Sequence, residues 1–328
     1  MSESFKTIVI GTSLNELSDG VVRTGVAVAR AAGASPWLVH AYMPPPSTVE
    51  IIDDGWLELE AEALRNGLAQ QARRTGLADL AGFKPEQVSA LIGSPPREIV
   101  DLARQVKADL IVIGAEEGGV LHKILLGSTA DGVIRKAPCP VLVVRSESAF
   151  PPARVELPVD LSPISAKAFQ KGLSFLAEMG VDLDETEALF VLNPYEVAGS
   201  LQFTPQQIER FAGEELRHFM ETNSPGRPPR LARIRTGFPR EEIVGVLKER
   251  QVDLAILGTH GRSGFERLVI GSMAAEVSHR AACNLLIIPP DAGVEKEETL
   301  REPPLKGADW TYVSDETPVP AGVLAGRS

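Results

Sequence analysis

The chain has 328 residues, more than one ordinary core needs, so about two domains are expected. A formal net charge of -11 argues against a nucleic-acid backbone as a general partner, and 44% hydrophobic residues is normal for a globular protein. Two cysteines, Cys139 and Cys283, make neither a disulfide framework nor a metal cluster and fit a reducing compartment.

The N-terminal MSESFKTIVIG lacks a basic region followed by an apolar segment, and reads as a lead-in to a strand rather than a signal peptide. No apolar run is long enough to span a bilayer, so no membrane partner is expected and the cytoplasm is the expected location. KTIVIGTS is a buried first strand, and DGVVRTGVAVARAAGA repeats apolar residues at helical spacing. PWLVHAYMP is a second strand stopped by prolines, followed by a long amphipathic helix, WLELEAEALRNGLAQQARRTGLA. QVSALIG is a third strand. PPREIVDLARQVKA is a helix with its prolines at the start, where the missing N–H groups cost little. DLIVIGA and CPVLVVR are the fourth and fifth strands, with the helix STADGVIRKA between them.

SESAFPPA, residues 146–153, is the linker, and the same order then repeats. The strands are RVELPVDLS, EALFVLNP, LARIRTG, DLAILGT and NLLIIPP; the helices are SAKAFQKGLSFLAEMG, PQQIERFAGEELRHFME, REEIVGVLKERQ and SMAAEVSHRA. Apolar strands alternating with helices predict an α/β fold: two tandem doubly wound domains, each a mainly parallel five-stranded sheet with helices on both faces. The domains are expected at 1–147 and 148–290. Residues 291–328, acidic and proline-rich, are expected to form a mobile tail, with Trp310 and Tyr312 as possible anchors.

An ungapped offset of 144 residues superimposes Gly93–Arg145 on Gly237–Pro289 and matches Gly93 with Gly237, Glu98 with Glu242, Gly114 with Gly258, Gly127 with Gly271, Ser128 with Ser272 and Cys139 with Cys283. A domain-sized period is a tandem duplication, not a solenoid.

The chemistry-bearing stretch is GTHGRSGFERLVIGS, residues 258–272, straight after the fourth strand of the second half. In open parallel sheets ligands bind beyond the C-terminal strand ends, at the switch point in strand order. Gly258 lets the backbone leave the strand beside a ligand, and Gly261 has no Cβ to collide with a phosphate. Gly271 and Ser272 begin a helix, Ser272 is expected as its N-cap, and the free N–H groups of that first turn favour an anion. Nine residues separate Gly261 from Gly271, enough for an excursion that returns to the same place. The set reads as a two-sided phosphate cradle; a single glycine pair would read only as a turn. There is no G-x-G-x-x-G after a first strand, no P-loop, no H-E-x-x-H and no nucleophile elbow.

Two such domains with this frame resemble a tandem universal stress protein, over nearly everything from Thr7 to Pro290. The family's ATP pattern, G-x-x-G, nine residues, then G-S or G-T, is present as Gly258, Gly261, Gly271 and Ser272. The resemblance implies an ATP-binding regulator of stress responses, not an enzyme with a defined triad or metal centre. Slow ATP hydrolysis ranks low, and Mg²⁺ would accompany ATP through its phosphates. The resemblance also implies an aspartate at the end of the first strand, supplied here by Asp160. Val191 should lie by the adenine, with apolar contact from Leu257 and Met273. His260 and Arg262 lie in the loop; each reads either as a phosphate contact or as a solvated side chain. Asp160 reads either as a ligand contact or as a cap for the following helix. The alternative for the whole chain is a non-nucleotide small-molecule or protein interaction module with both clefts vestigial or repurposed.

The first half departs from the pattern twice. Ser13 stands where the aspartate should be, and in GAEEGGVLHKILLGS Glu117 replaces the second glycine beside Glu116. Two carboxylates would repel phosphate, so nucleotide is expected in the second domain only. Asp131 can complete a capping box with Ser128. His40 reads as a satisfied, partly buried strand-end histidine, and the cysteines as buried core residues. The final strands PVLVV and NLLIIP are edge candidates needing cover, so pairing of the two halves through them is expected, with a homodimer also compatible.

Overall fold

The computed structural model describes residues 5–43, 54–115, 126–145, 150–193, 204–224, 226–259, 271–290 and 311–313. The first half contains β1 (Thr7–Gly11), α1 (Asp19–Ala32), β2 (Ser35–Tyr42), α2 (Asp54–Arg74), β3 (Val88–Ile92), α3 (Pro95–Gln105), β4 (Leu110–Gly114), α4 (Ser128–Lys136) and β5 (Val141–Val144). The second contains β6 (Val155–Val159), α5 (Pro163–Glu178), β7 (Thr186–Leu192), α6 (Pro205–Asn223), β8 (Leu231–Thr236), α7 (Pro239–Glu249), β9 (Leu254–Gly258), α8 (Ser272–Arg280) and β10 (Asn284–Ile288). A short strand, β11 (Thr311–Val313), follows.

The local reasons are those of the sequence. Pro95 and Pro239 open α3 and α7 at positions that need no N–H. Thr204 and Gln207 form a capping box at the start of α6. Gly33 closes α1 in the left-handed conformation, at φ 62°. β7 and β10 are buried along their whole length, as strands covered on both faces must be.

All strands join one sheet, ordered β11-β8-β7-β6-β9-β10-β5-β4-β1-β2-β3. Within each half the order by occurrence is 3-2-1-4-5 and the pairing is parallel. The halves meet where β5 lies antiparallel to β10, with Leu142 opposite Leu286. Those two leucines are equivalent under the 144-residue offset, so a local pseudo-two-fold axis passes between them. The tail contributes β11, parallel to the outer strand β8. Across the seam, Phe5 of the first half meets Phe175 of α5 edge-to-face at 5.5 Å, and its N–H donates to Glu178 Oε2 at 3.2 Å. Phe150, at the start of the second half, packs on the same Phe175 ring.

The recurring pairs Gly93/Glu98 and Gly237/Glu242 are in close contact. Each glutamate folds back over its glycine so closely that a Cβ at Gly237 would meet Glu242 Cγ at 2.6 Å, and one at Gly93 would meet Glu98 Cγ at 2.9 Å.

One layer differs in kind between the halves. Register equates Val9 with Glu156 and Trp37 with Glu187. Val9 and Trp37 belong to an apolar core; Glu156 and Glu187 form a buried cluster with two arginines. Arg250 donates to Glu156 Oε2 at 2.5 Å and lies 3.5 Å from Glu187 Oε2, while Arg233 holds Glu187 Oε1 at 2.5 Å. Glu156 Oε1 has no hydrogen-bond partner among the described residues. Burial, then the charge of Glu187, pushes the Glu156 carboxyl up to about 8 against the pull of Arg250.

Candidate functional site

The switch point of the second half lies between β6 and β9, because the chain turns to one side of β6 for β7 and β8 and to the other for β9 and β10. Asp160 follows β6, Val191 is near the end of β7, and Leu257 and Gly258 end β9. Parallel pairing of β6 with both neighbours puts these strand ends on one rim. Val191 is 9% exposed and Leu257 fully buried, so both line the rim from the core side.

The chain leaves this rim after Thr259 and returns at Gly271, whose N–H donates to the Thr259 carbonyl at 2.7 Å. The excursion is thus closed at its base, and α8 starts beside the end of β9. His260, Gly261 and Arg262 lie outside the described residues. Met273 packs against the buried core from the first turn of α8.

Two details differ from expectation. Ser272 is not the N-cap of α8. Gly271, at φ -54° and ψ 141°, occupies the non-helical cap position, and Ser272 is the first helical residue. The base hydrogen bond fixes Gly271 at the end of the strand, which makes it the boundary. The amides of the first turn still lack intrahelical acceptors. In the first half, Asp131 does not complete a capping box with Ser128: its carboxylate accepts from Nε and Nη2 of Arg135, at 2.8 and 2.9 Å, one turn later.

Asp160 Oδ1 accepts the Ser162 N–H at 3.0 Å, and its own N–H donates to Ser165 Oγ at 3.2 Å. Ser162 is the N-cap of α5, accepting from Ser165 N at 3.1 Å. Asp160 therefore braces the turn that leads into the helix, and Leu161 in that turn is left-handed at φ 61°.

The equivalent rim of the first half is built differently. Its loop base is closed by the same bond, Gly127 N–H to the Ala115 carbonyl at 2.7 Å, while Glu116, Glu117, Gly118 and Gly119 lie outside the described residues. Next to Ser13 in the chain, Thr12 belongs to a polar network. Thr12 Oγ1 lies 2.8 Å from Ser18 Oγ and 3.0 Å from Gln71 Oε1. Gln71 donates to Asp19 Oδ1 at 2.8 Å, and Arg74 grips both Asp19 oxygens at 2.6 and 2.9 Å. Burial opposes ionisation of Asp19, but the hydrogen bonds from Arg74 and Gln71 outweigh it and hold its carboxyl below the usual value. His40 Nδ1 is 2.8 Å from the Thr12 carbonyl, so that nitrogen carries a proton and donates it to the carbonyl. No motif announces this network, because its members come from the turn after β1, the start of α1 and the body of α2, and meet only in space.

Cys139 and Cys283 are free and buried. Burial pushes the Cys139 thiol up to about 12 and the Cys283 thiol to about 11, so neither is a ready nucleophile. Among the described residues no group of three metal-ligating side chains occurs, and no helix is long and apolar enough to cross a membrane.

A family model described as the universal stress protein family matches the chain twice, over residues 4–145 and 153–289. A universal stress protein of Mycobacterium tuberculosis is 27% identical over 252 residues, covering 75% of this chain and 81% of that protein. One from Thermus aquaticus is 36% identical over 143 residues, covering 43% of this chain and 99% of its own length. Among solved structures, a universal stress protein from Archaeoglobus fulgidus aligns with TM-score 0.59 at 19% identity, covering 88% of this chain and 99% of that one; this likeness is one of fold.

Proposed function

The chain belongs to the universal stress protein family, whose domain it carries twice, and from that premise we propose that its second domain binds ATP and that the chain acts as a stress-response regulator. The observation that carries this reading is the complete glycine frame on a loop closed at its base. Gly258, Gly261, Gly271 and Ser272 recur at the family's spacing, and Gly271 is tied to Thr259 beside the switch point. In this reading the first-turn amides of α8 and Ser272 receive phosphate, with Gly261 providing clearance and His260 and Arg262 adding donors. Asp160 meets the ribose side, and Val191, Leu257 and Met273 contact the base. ATP supplies the charged group whose presence the regulator reports. Mg²⁺ would enter with the phosphates.

The first domain keeps the loop base and lacks the aspartate and the second glycine, which supports nucleotide in the second domain alone. The pairing of β5 with β10 supports one chain as the assembled unit.

Mass spectrometry of ligand released from freshly purified protein tests the reading, together with thermal stabilisation by ATP. ATP-dependent stabilisation that disappears in Gly261→Glu is the expected result. Wild type without stabilisation by any adenine nucleotide would overturn it in favour of an interaction module.

A further inference from the structure

The two glycine-loop helices end differently. The last carbonyls of an α-helix have no intrahelical donor, and when buried they need one from elsewhere. In α4, the Lys136 carbonyl accepts from Arg104 Nη2 at 3.1 Å, a residue of α3 in the same half. In α8, the Ser278 carbonyl accepts from Arg145 Nη2, and Arg145 belongs to the first half. The Arg145 N–H also donates to Asn284 Oδ1 at 2.8 Å, locking its backbone to the start of β10. Ser278 is 1% exposed and Asn284 3% exposed.

The pseudo-two-fold axis makes the asymmetry plain. The 144-residue offset places Pro289 at the position of Arg145 and Pro140 at that of Asn284. Neither proline carries a side-chain donor or acceptor, so the second half cannot return the contact to α4. The brace runs one way, from the half with the degenerate loop to the helix that opens the intact one.

We propose that Arg145 is a positioning residue through which the first domain sets the nucleotide affinity of the second, an inference that rests on the nucleotide reading above. α8 is nine residues long, about 13 Å at 1.5 Å per residue, so its two ends move together. Gly271–Thr259 holds the end that faces the ligand, and Arg145 holds the other, with a cation at the negative pole of the helix. Releasing the far end lets α8 rotate about its near one and misaligns the first-turn amides. The degenerate domain then has a function that needs no ligand of its own.

The test is ATP titration calorimetry on the full chain as wild type, Arg145→Met, Arg145→Lys and Arg104→Met, with hydrogen exchange of the α8 amides. Arg145→Met keeps the aliphatic stem and removes every donor. Its ATP affinity should fall roughly 3- to 10-fold, with faster exchange along α8, because a charge-assisted hydrogen bond has been removed. Arg145→Lys retains a donor and should restore most of the affinity. Arg104→Met breaks the matching contact on α4 and should leave affinity at the wild-type value. Wild-type affinity in Arg145→Met, or an equal loss in Arg104→Met, overturns the inference while leaving ATP binding standing. Wild-type α8 exchange in Arg145→Met overturns it independently of any titration. Failure of the wild type to bind ATP overturns the nucleotide reading itself, and this inference with it.

Discussion

The Gly271 amide hydrogen-bonds the Thr259 carbonyl at 2.7 Å, and in the other half the Gly127 amide bonds the Ala115 carbonyl at the same distance. Both bonds close a loop leaving the fourth strand of a domain, although one loop keeps its second glycine and the other carries Glu117 in its place. Loop closure is therefore a property of the fold, separable from whatever the loop holds.

That separation is testable with proline. Gly271 and Gly127 have φ of -54° and -65°, within proline's range, so the substitution acts through the base bond: it removes the N–H and sets the ring Cδ against the carbonyl that the N–H met. Each variant should lose about 3 kcal/mol of stability in urea unfolding, from the lost bond together with the contact between the proline ring and the carbonyl. ATP binding should weaken in Gly271→Pro and stay unchanged in Gly127→Pro. Equal effects on binding would show that the loops are not functionally distinct.

Asp160→Ala separates the turn from the ligand. Loss of the Asp160–Ser162 bond alone should cost about 0.5–1 kcal/mol. A ligand role adds a drop in ATP affinity of roughly tenfold or more, measured by calorimetry. A stability loss with unchanged affinity would confine Asp160 to bracing the turn.

Glu156 predicts a pH dependence. Its carboxyl is raised from 4.5 to about 8 in the folded chain, so the native state holds a proton that the unfolded chain has released at neutral pH. The stability tied to that proton is fully present below about pH 4.5 and is lost as pH rises through about 8. Glu156→Gln carries the neutral form permanently and should flatten stability between pH 5 and 8 in denaturant titrations. An unchanged slope would mean that Arg250 keeps the carboxylate ionised.

Asp19 has the opposite sign. Its carboxyl lies below its ordinary value, so its contribution is present above about pH 4 and is lost as pH falls further. Asp19→Asn should cost about 1–3 kcal/mol, discounted because Arg74 is 40% exposed, and should remove that part of the acid sensitivity. ATP affinity should not change, since Asp19 lies in the other half; a change would reveal a longer-range connection.

Much of the architecture was legible in the sequence because its signals are local. Strands such as Leu110–Gly114 and Leu254–Gly258 are apolar throughout, α3 and α7 begin at proline, and the offset of 144 residues aligns both copies. The glycine loop was legible as a spacing. What escaped depends on register and on backbone atoms. Nothing in RVELPV or TEALFVL says that Glu156 and Glu187 face each other in the core, because that follows from pairing β6 with β7. Ser272 looked like a helix cap by residue type, and the cap moved one position because a main-chain bond to Thr259 holds Gly271. Arg145 looked like the end of a strand, and its partner lies 133 residues away.

The antiparallel seam has a further consequence. β5 and β10 run in opposite directions, and each of the other strands, β11 included, runs with the seam strand of its own half, so the strands of one half point up where those of the other point down. The two loop bases, Ala115 with Gly127 and Thr259 with Gly271, therefore lie on opposite rims of the sheet. Under the proposed function, nucleotide in the second half would occupy one end of the sheet while the loop base of the first half faces the other way.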